Sequence, residues 1–213
     1  VSGLHANSVA PVLVSREQGR RKSSFCRALM PDVLARYYTD NLKLTSQGQA
    51  ERMLAEMGLL NMDEFDKYAE SKMPLLKNLM QMSVLNIRKA YQQNFRQLPR
   101  IASFIGTSNR FDLLTDPTGS RRFLCIEVKH DIDCTGIEHD RIFAQLKAEL
   151  IAGRRSWFTK SEEEELQRHN EAFYRVSLAE EAVRSLFRAP LPAEKSIDLT
   201  AADIFDELQK THP

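Results

Sequence analysis

The sequence has no apolar stretch near the roughly 20 residues a membrane-spanning helix needs, so no membrane partner is expected. The N-terminus has neither the charged start nor the apolar run of a signal peptide, so a cytoplasmic location is expected. Three cysteines (Cys26, Cys125, Cys134), with no CxxC pair, exclude a disulfide framework and suit a reducing compartment. Charge of one sign is also missing. Thirty Lys and Arg against 29 Asp and Glu leave a net charge of +1, so contact with nucleic acid would have to come from local clusters. There is no internal repeat and no low-complexity linker. The first residue is Val, so a piece of a longer chain is expected.

What is present suits a folded domain. Over 213 residues, 42% are hydrophobic and 28% charged, which excludes disorder and fibrous classes. Short apolar runs at 9–14, 59–62, 101–107 and 123–128 read as strands, Pro11 lying near the start of the first. Helical spacing of Ala50, Met53, Leu54 and Met57 predicts a helix over 46–57. Leu75, Leu76, Leu79 and Met80 predict another after Pro74. Residues 139–152 and 161–187 also read as helices, the latter with Ser161 and Glu164 as a capping box. Strands alternating with helices predict an α/β fold, a parallel sheet flanked by helices, with a helical C-terminal extension. A composition shift at Gly153–Phe158 ends the core at 158. The extension runs over 159–190, and Pro190 and Pro192 mark a break. A further small helical segment, capped by Thr200, starts in 191–213 and is cut off by the chain end.

The chemistry-bearing residues sit at strand ends. After the first strand, a basic loop with Gln18 and Gly19 leads to Arg21, Lys22, Ser23 and Ser24 at a helix start. That context is the one a phosphate loop requires: backbone N–H groups face the phosphates, the Lys neutralises them and the hydroxyl binds Mg²⁺. In that pattern aligned on Lys22, Arg16 and Arg21 stand where glycines are expected. An Arg there narrows the backbone and adds bulk. The second strand ends in Asp63 and Glu64, suited to holding Mg²⁺ through water and to orienting or deprotonating a water. The third ends in Ser108 and Asn109, whose amide can both donate and accept. Asp116-Pro117-Thr118-Gly119 reads as a turn carrying Arg121 and Arg122, which can reach a neighbouring subunit's nucleotide. Between the acids and Asn109, Lys77, Arg88, Lys89, Tyr91, Arg96 and Arg100 interleave aromatic and basic character. That suits a DNA strand, while Lys77 and Arg100 could equally face a nucleotide. A solvated helical face is the plainer reading for any one of them. An α/β fold gathers ligands at the carboxyl ends of its strands, so Lys22, Asp63 with Glu64, Asn109, and Arg121 with Arg122 are expected to converge.

Other groupings carry less. His130, Cys134 and His139 match no common zinc spacing, and Asp131-x-Asp133 with Gly136 lacks acids at the later positions of a calcium loop. Cys26 follows basic residues at a helix start, which would lower its pKa, but no partner for a catalytic thiol is evident. Trp157 and Phe158 read as a small cluster joining the helical tail to the core.

The set resembles the virulence-associated protein E family of phage and mobile-element proteins. The resemblance rests on Gln18-Gly19 with Lys22-Ser23-Ser24-Phe25 and on Leu60-Asn61-Met62-Asp63-Glu64. It rests most on Phe104-Ile105-Gly106-Thr107-Ser108-Asn109 and Asp116-Pro117-Thr118-Gly119-Ser120-Arg121-Arg122-Phe123. The motifs cover about residues 9–128, and 145–170 looks like the family's helical continuation. Members look like superfamily 3 helicases, AAA+-type P-loop NTPases often joined to a primase. The resemblance implies an ATP-hydrolysing helicase or primase-helicase domain, with ATP and Mg²⁺ as cofactors, single- or double-stranded DNA as partner and a ring-shaped homo-oligomer. Lys22, Ser23 and the loop around Gly19 would bind phosphate. Asp63 and Glu64 would be the Mg²⁺ and water residues, Asn109 the sensor, and Arg121 or Arg122 the finger. Arg16 and Arg21 depart from the pattern. They motivate the alternative of a non-catalytic nucleic-acid-binding or assembly module, in which added positive charge meets DNA phosphates.

Overall fold

The computed structural model describes residues 7–44, 46–68, 70–88, 95–115, 121–176, 178–189, 191 and 194–211. The chain forms two compact units, 1–174 and 175–213. In the first, five parallel strands form one sheet in the order β2-β3-β6-β1-β7. They are β1 (Ala10–Val14), β2 (Tyr38–Thr39), β3 (Leu59–Met62), β6 (Ser103–Ser108) and β7 (Phe123–Glu127). The inner strands β1 and β6 are flanked on both edges and covered on both faces. Their residues are therefore buried almost without interruption rather than alternately.

Alternate residues of each strand face opposite sides. On one side, Val12, Leu60, Met62, Phe104 and Phe123 share a core with Leu54 of α2 (Gln47–Glu56) and with Leu76, Leu79 and Met80 of α3 (Met73–Gln81). On the other, Leu13 and Ile105 pack on Cys26 of α1 (Lys22–Ala28). A two-stranded antiparallel hairpin, β4 (Val84–Arg88) with β5 (Phe95–Pro99), follows α3, and Leu85 anchors it in the core. The sequence pattern did not reveal this hairpin. Its strands are short and mix apolar with polar residues, and only cross-strand pairing defines them.

The edge strand β7 is closed by a side chain. Asn170 is fully buried; its Nδ2 donates to the Phe123 carbonyl (2.6 Å) and its Oδ1 accepts from the Cys125 N–H (3.3 Å). His169 Nε2 lies 2.7 Å from the Cys125 carbonyl oxygen. One amide thus replaces a missing strand at an edge that would otherwise invite pairing.

The expected helix over 161–187 is broken. It comprises α5 (Lys160–His169), a 3-10 turn (Asn170–Phe173) and α6 (Leu178–Leu186). Its cap is also earlier than expected. Thr159, not Ser161, accepts from the Glu162 N–H, and Glu162 reaches back to the Thr159 N–H at 2.6 Å. α4 (His139–Ile151) matches the reading of 139–152. Trp157 and Phe158 are exposed and do not form a buried joint. In the second unit, α7 (Ala201–Thr211) is capped as expected, the Asp203 N–H donating to Thr200 Oγ1. The 116–120 turn, Lys89, Tyr91, Pro190 and Pro192 lie outside the described residues. No helix among the described residues is long and apolar enough to cross a membrane.

Leu54 is fully buried between α2 and the sheet, so Leu54→Ala should lower the unfolding free energy by about 2–5 kcal/mol in urea titrations. Val33 is 83% exposed, and Val33→Ala should stay within about 0.5 kcal/mol of the parent.

Candidate functional site

In a parallel sheet all carboxyl ends lie on one edge, and there a cleft of about 400 Å³ opens. Gln18, Gly19, Arg21, Lys22, Ser23, Ser24, Asp63, Glu64 and Asn109 line it, joined by Arg20 and Thr107. Every residue expected at the phosphates, the metal or the sensor position is therefore in one place.

The local structure explains how. The loop after β1 turns through Gly19 (φ +85°) and Arg21 (φ +59°), both left-handed. A β-carbon makes that region costly, so Arg21 adopts at some strain a conformation that glycine takes freely. Its side chain is exposed. Arg16 also leaves the cleft, stacking 5.2 Å over the Phe111 ring. Arg20 does not point at a ligand either. It pairs with Glu17 (2.5 Å) and Asp131 (2.9 Å), clasping the loop to the segment after β7. The two arginines at glycine positions thus leave the loop's course intact.

Lys22 is buried. Its Nζ donates to Ser15 Oγ (2.6 Å) and to Asn109 Oδ1 (2.9 Å), the second contact tying the loop to the end of β6. Burial lowers the Lys22 pKa, and the nearby Asp63 and Asp66 oppose that only in part. Asp63 Oδ1 accepts two hydroxyls, Ser23 Oγ at 2.7 Å and Thr107 Oγ1 at 2.6 Å. Glu64, itself left-handed at φ +50°, donates its N–H to the same Thr107 hydroxyl (3.2 Å) and turns its carboxylate to Lys67 (2.6 Å). Thr107 and Ser15 were not singled out as site residues in the sequence. A hydroxyl near the end of an apolar strand was the available signal.

Two expectations fail on geometry. Arg121 and Arg122 precede β7, which runs parallel to β1 with Ala10 opposite Phe123 and Val14 opposite Glu127. They therefore sit at the amino edge of the sheet, about 13 Å of strand rise from the cleft, and do not converge on it. Arg121 pairs there with Glu163 (3.4 Å). Arg100 also lies at the amino edge, before β6. It is buried, donates to the carbonyls of Ala102 (3.1 Å) and Asn7 (2.6 Å), and burial pulls its pKa down to about 10; it braces the fold and does not face the cleft. Of the interleaved residues, Arg88 falls in β4, and Arg96 in β5 is exposed. Cys26 is likewise not activated. Burial first, then Asp63 and Asp40, push its thiol up to about 12.

The fold and cleft define a mixed α/β protein whose ligand edge combines a basic loop, paired acids and an amide. The chain belongs to the virulence-associated protein E-like domain family, whose model matches residues 4–175. No curated protein matches it. Among solved structures, it is similar to the apo structure of the NrS-1 C terminal region (305-718). That match has 17% identity, covers 80% of this chain and 37% of that one, and has a TM-score of 0.47. An A form apo structure of the same region gives 18% identity over 79% and 36%, with a TM-score of 0.46. The chain thus spans little more than a third of the length of those structures.

Two outcomes follow from this chemistry. Cys26 and Cys125 are buried, and burial is the leading cause that pushes both up to about 12, while Cys134 is part-exposed. At pH 8 a thiol reagent should label one site in the native protein and none in Cys134→Ser until urea is added. Lys22 costs stability while it is charged and buried. With its folded pKa below the unfolded 10.5, that cost is fully present below the folded value and disappears as pH rises through 10.5. Lys22→Met should therefore resist urea better than the parent at pH 7, and the gap should narrow towards pH 10.5.

Proposed function

We propose that this chain is the nucleotide-binding module of a replication ATPase of a phage or mobile element, hydrolysing ATP with Mg²⁺ and acting on DNA. The observation that carries this reading is the meeting of two hydrogen-bonded pairs, Lys22 with Asn109 and Ser23 with Asp63, around a single cleft. Family membership supports it.

The donor set suits a hard divalent cation. Ser23 and Asp63 offer oxygen ligands and already share a hydrogen bond. Mg²⁺ bound there would neutralise phosphate charge in the transition state. Lys22, poorly solvated in its buried position, would exchange the neutral oxygens of Ser15 and Asn109 for charged phosphate oxygens. Asn109, released from Lys22, would hold a water in line through its two-way amide. Glu64 would accept that water's proton after leaving Lys67. Because Arg121 and Arg122 sit at the far edge of their own sheet, either can serve as a finger only for a neighbouring subunit, in keeping with a homo-oligomer. Arg96, exposed on the hairpin, offers basic charge for a DNA backbone.

The alternative, a non-catalytic nucleic-acid-binding or assembly module, is favoured by one observation. Arg21 holds a strained glycine conformation at the mouth of the cleft, where its charge would meet DNA phosphates without nucleotide. In that case DNA binding would be indifferent to ATP.

A labelled ATP analogue should bind the wild-type protein in a Mg²⁺-dependent manner, and Lys22→Ala should weaken binding by roughly 10- to 100-fold, the worth of a hydrogen bond to a charged group. Equal binding by both proteins would overturn the phosphate-loop assignment. The ATPase rate per subunit should rise with protein concentration. In the Arg121→Ala/Arg122→Ala double variant it should fall by roughly 10³- to 10⁵-fold with nucleotide binding retained. A rate independent of concentration would remove the trans finger.

A further inference from the structure

Below the cleft, α1 and β3 are joined a second time. Ser23 and Arg27 lie four residues apart in α1, on one side of the helix and about 6 Å apart along its axis. Asp63 and Asn61 lie two residues apart along the β3 segment, on one face and about 6.6 Å apart. The two spacings match, so helix and strand can be bridged by two parallel rungs. The upper rung is Ser23 Oγ to Asp63 Oδ1, 2.7 Å. The lower one runs through Asp40, which follows β2. Arg27 Nη2 donates to Asp40 Oδ2 (2.7 Å), Asn61 Nδ2 donates to Asp40 Oδ1 (2.9 Å), and the Tyr38 hydroxyl donates to that same oxygen.

The lower rung has no role in the chemistry described above, and its composition is not what packing alone would select. Asn61 is fully buried in an otherwise apolar strand, and its Oδ1 has no hydrogen-bond partner among the described residues. A leucine would fill the space without that cost. The Arg27–Asp40 pair is 65% exposed on the arginine side, so it adds little to stability by itself. Burial opposes the charge on Asp40. Yet the hydrogen bonds from Tyr38, Asn61 and Arg27 outweigh it and hold the carboxyl below its usual range, so the rung is ionised at neutral pH.

The rungs differ in what a ligand would do to them. A divalent cation would load the upper rung, because Ser23 Oγ can offer it a lone pair while its O–H still donates to Asp63. The lower rung would touch no ligand and, together with the apolar packing of α1, would keep the same spacing between α1 and β3 with or without the cation. We infer that Asp40 is a positioning residue for the Ser23–Asp63 pair, fixing through Arg27 and Asn61 the gap in which a divalent cation is held. The inference rests on the nucleotide reading proposed above.

The test uses the full chain and the labelled ATP analogue, titrated with Mg²⁺ and, separately, in EDTA. Asp40→Ala should raise the Mg²⁺ midpoint roughly 10-fold or more, the usual effect of removing an outer support of a metal ligand. Affinity for the analogue in EDTA, which depends on Lys22 and the loop, should stay within about twofold of wild type. Arg27→Gln, an exposed change that does not threaten folding, should move the midpoint in the same direction, and Arg27→Lys should restore most of it. A variant with a native circular dichroism spectrum and an unmoved Mg²⁺ midpoint would overturn the positioning role alone. Parallel loss of both affinities would also overturn it, because that is what general loosening of the fold produces. Failure of the wild-type protein to bind the analogue would overturn the nucleotide reading itself and the role with it.

Discussion

The carboxylate of Asp63 is the point on which the rest of the site depends. One oxygen accepts hydroxyls from Ser23, forty residues earlier, and from Thr107, forty-four residues later. Thr107 in turn holds the Glu64 N–H, and its neighbour Ser108 donates to Asp66 (2.7 Å). The loop after β1, the end of β3 and the end of β6 are therefore locked to one another at a single carboxylate. A carboxylate at the edge of a buried sheet must be satisfied by donors, and the donors available are those of the segments that a ligand would also touch. The same group thus organises the cleft.

Strand order makes that arrangement possible. Because β6 lies between β1 and β3, the residues leaving it stand between the loop and the acids. Asn109 can then reach Lys22, while Thr107 reaches Asp63. Parallel direction has the opposite consequence for the arginines. Residues that precede a strand are carried to the far edge, so Arg121 and Arg122 are separated from their own cleft by the length of β7.

The basic loop shows how a departure from an expected pattern is absorbed. Arg21 takes the backbone conformation of the glycine it replaces, and Arg16 is withdrawn onto an aromatic ring. Arg20 is engaged by two carboxylates. Positive charge is plentiful in the loop, yet of these side chains and Lys22 only Lys22 is buried beside the acids.

The amino-acid sequence by itself determined the α/β class, the positions of the main strands, the helices over 46–57 and 139–152, and the chemistry-bearing residues. Those features are local: apolar periodicity, capping groups, and polar residues where a strand must stop. Their assembly into one cleft was legible to the extent that strands were taken to be parallel, and this held for Lys22, Asp63, Glu64 and Asn109. It did not hold for Arg121 and Arg122, because proximity in sequence to a strand says nothing until the end of the strand is known. Tertiary structure alone decided the hairpin β4–β5, the break after His169 where Asn170 serves the edge of β7, and the parts of Thr107, Ser15 and Asp40. Each of these depends on a partner tens of residues away or on a single atom's position, and hydrogen bonds of that kind leave no period in the sequence. The amino acids state what each segment can offer, and only the sheet order decides which offers meet.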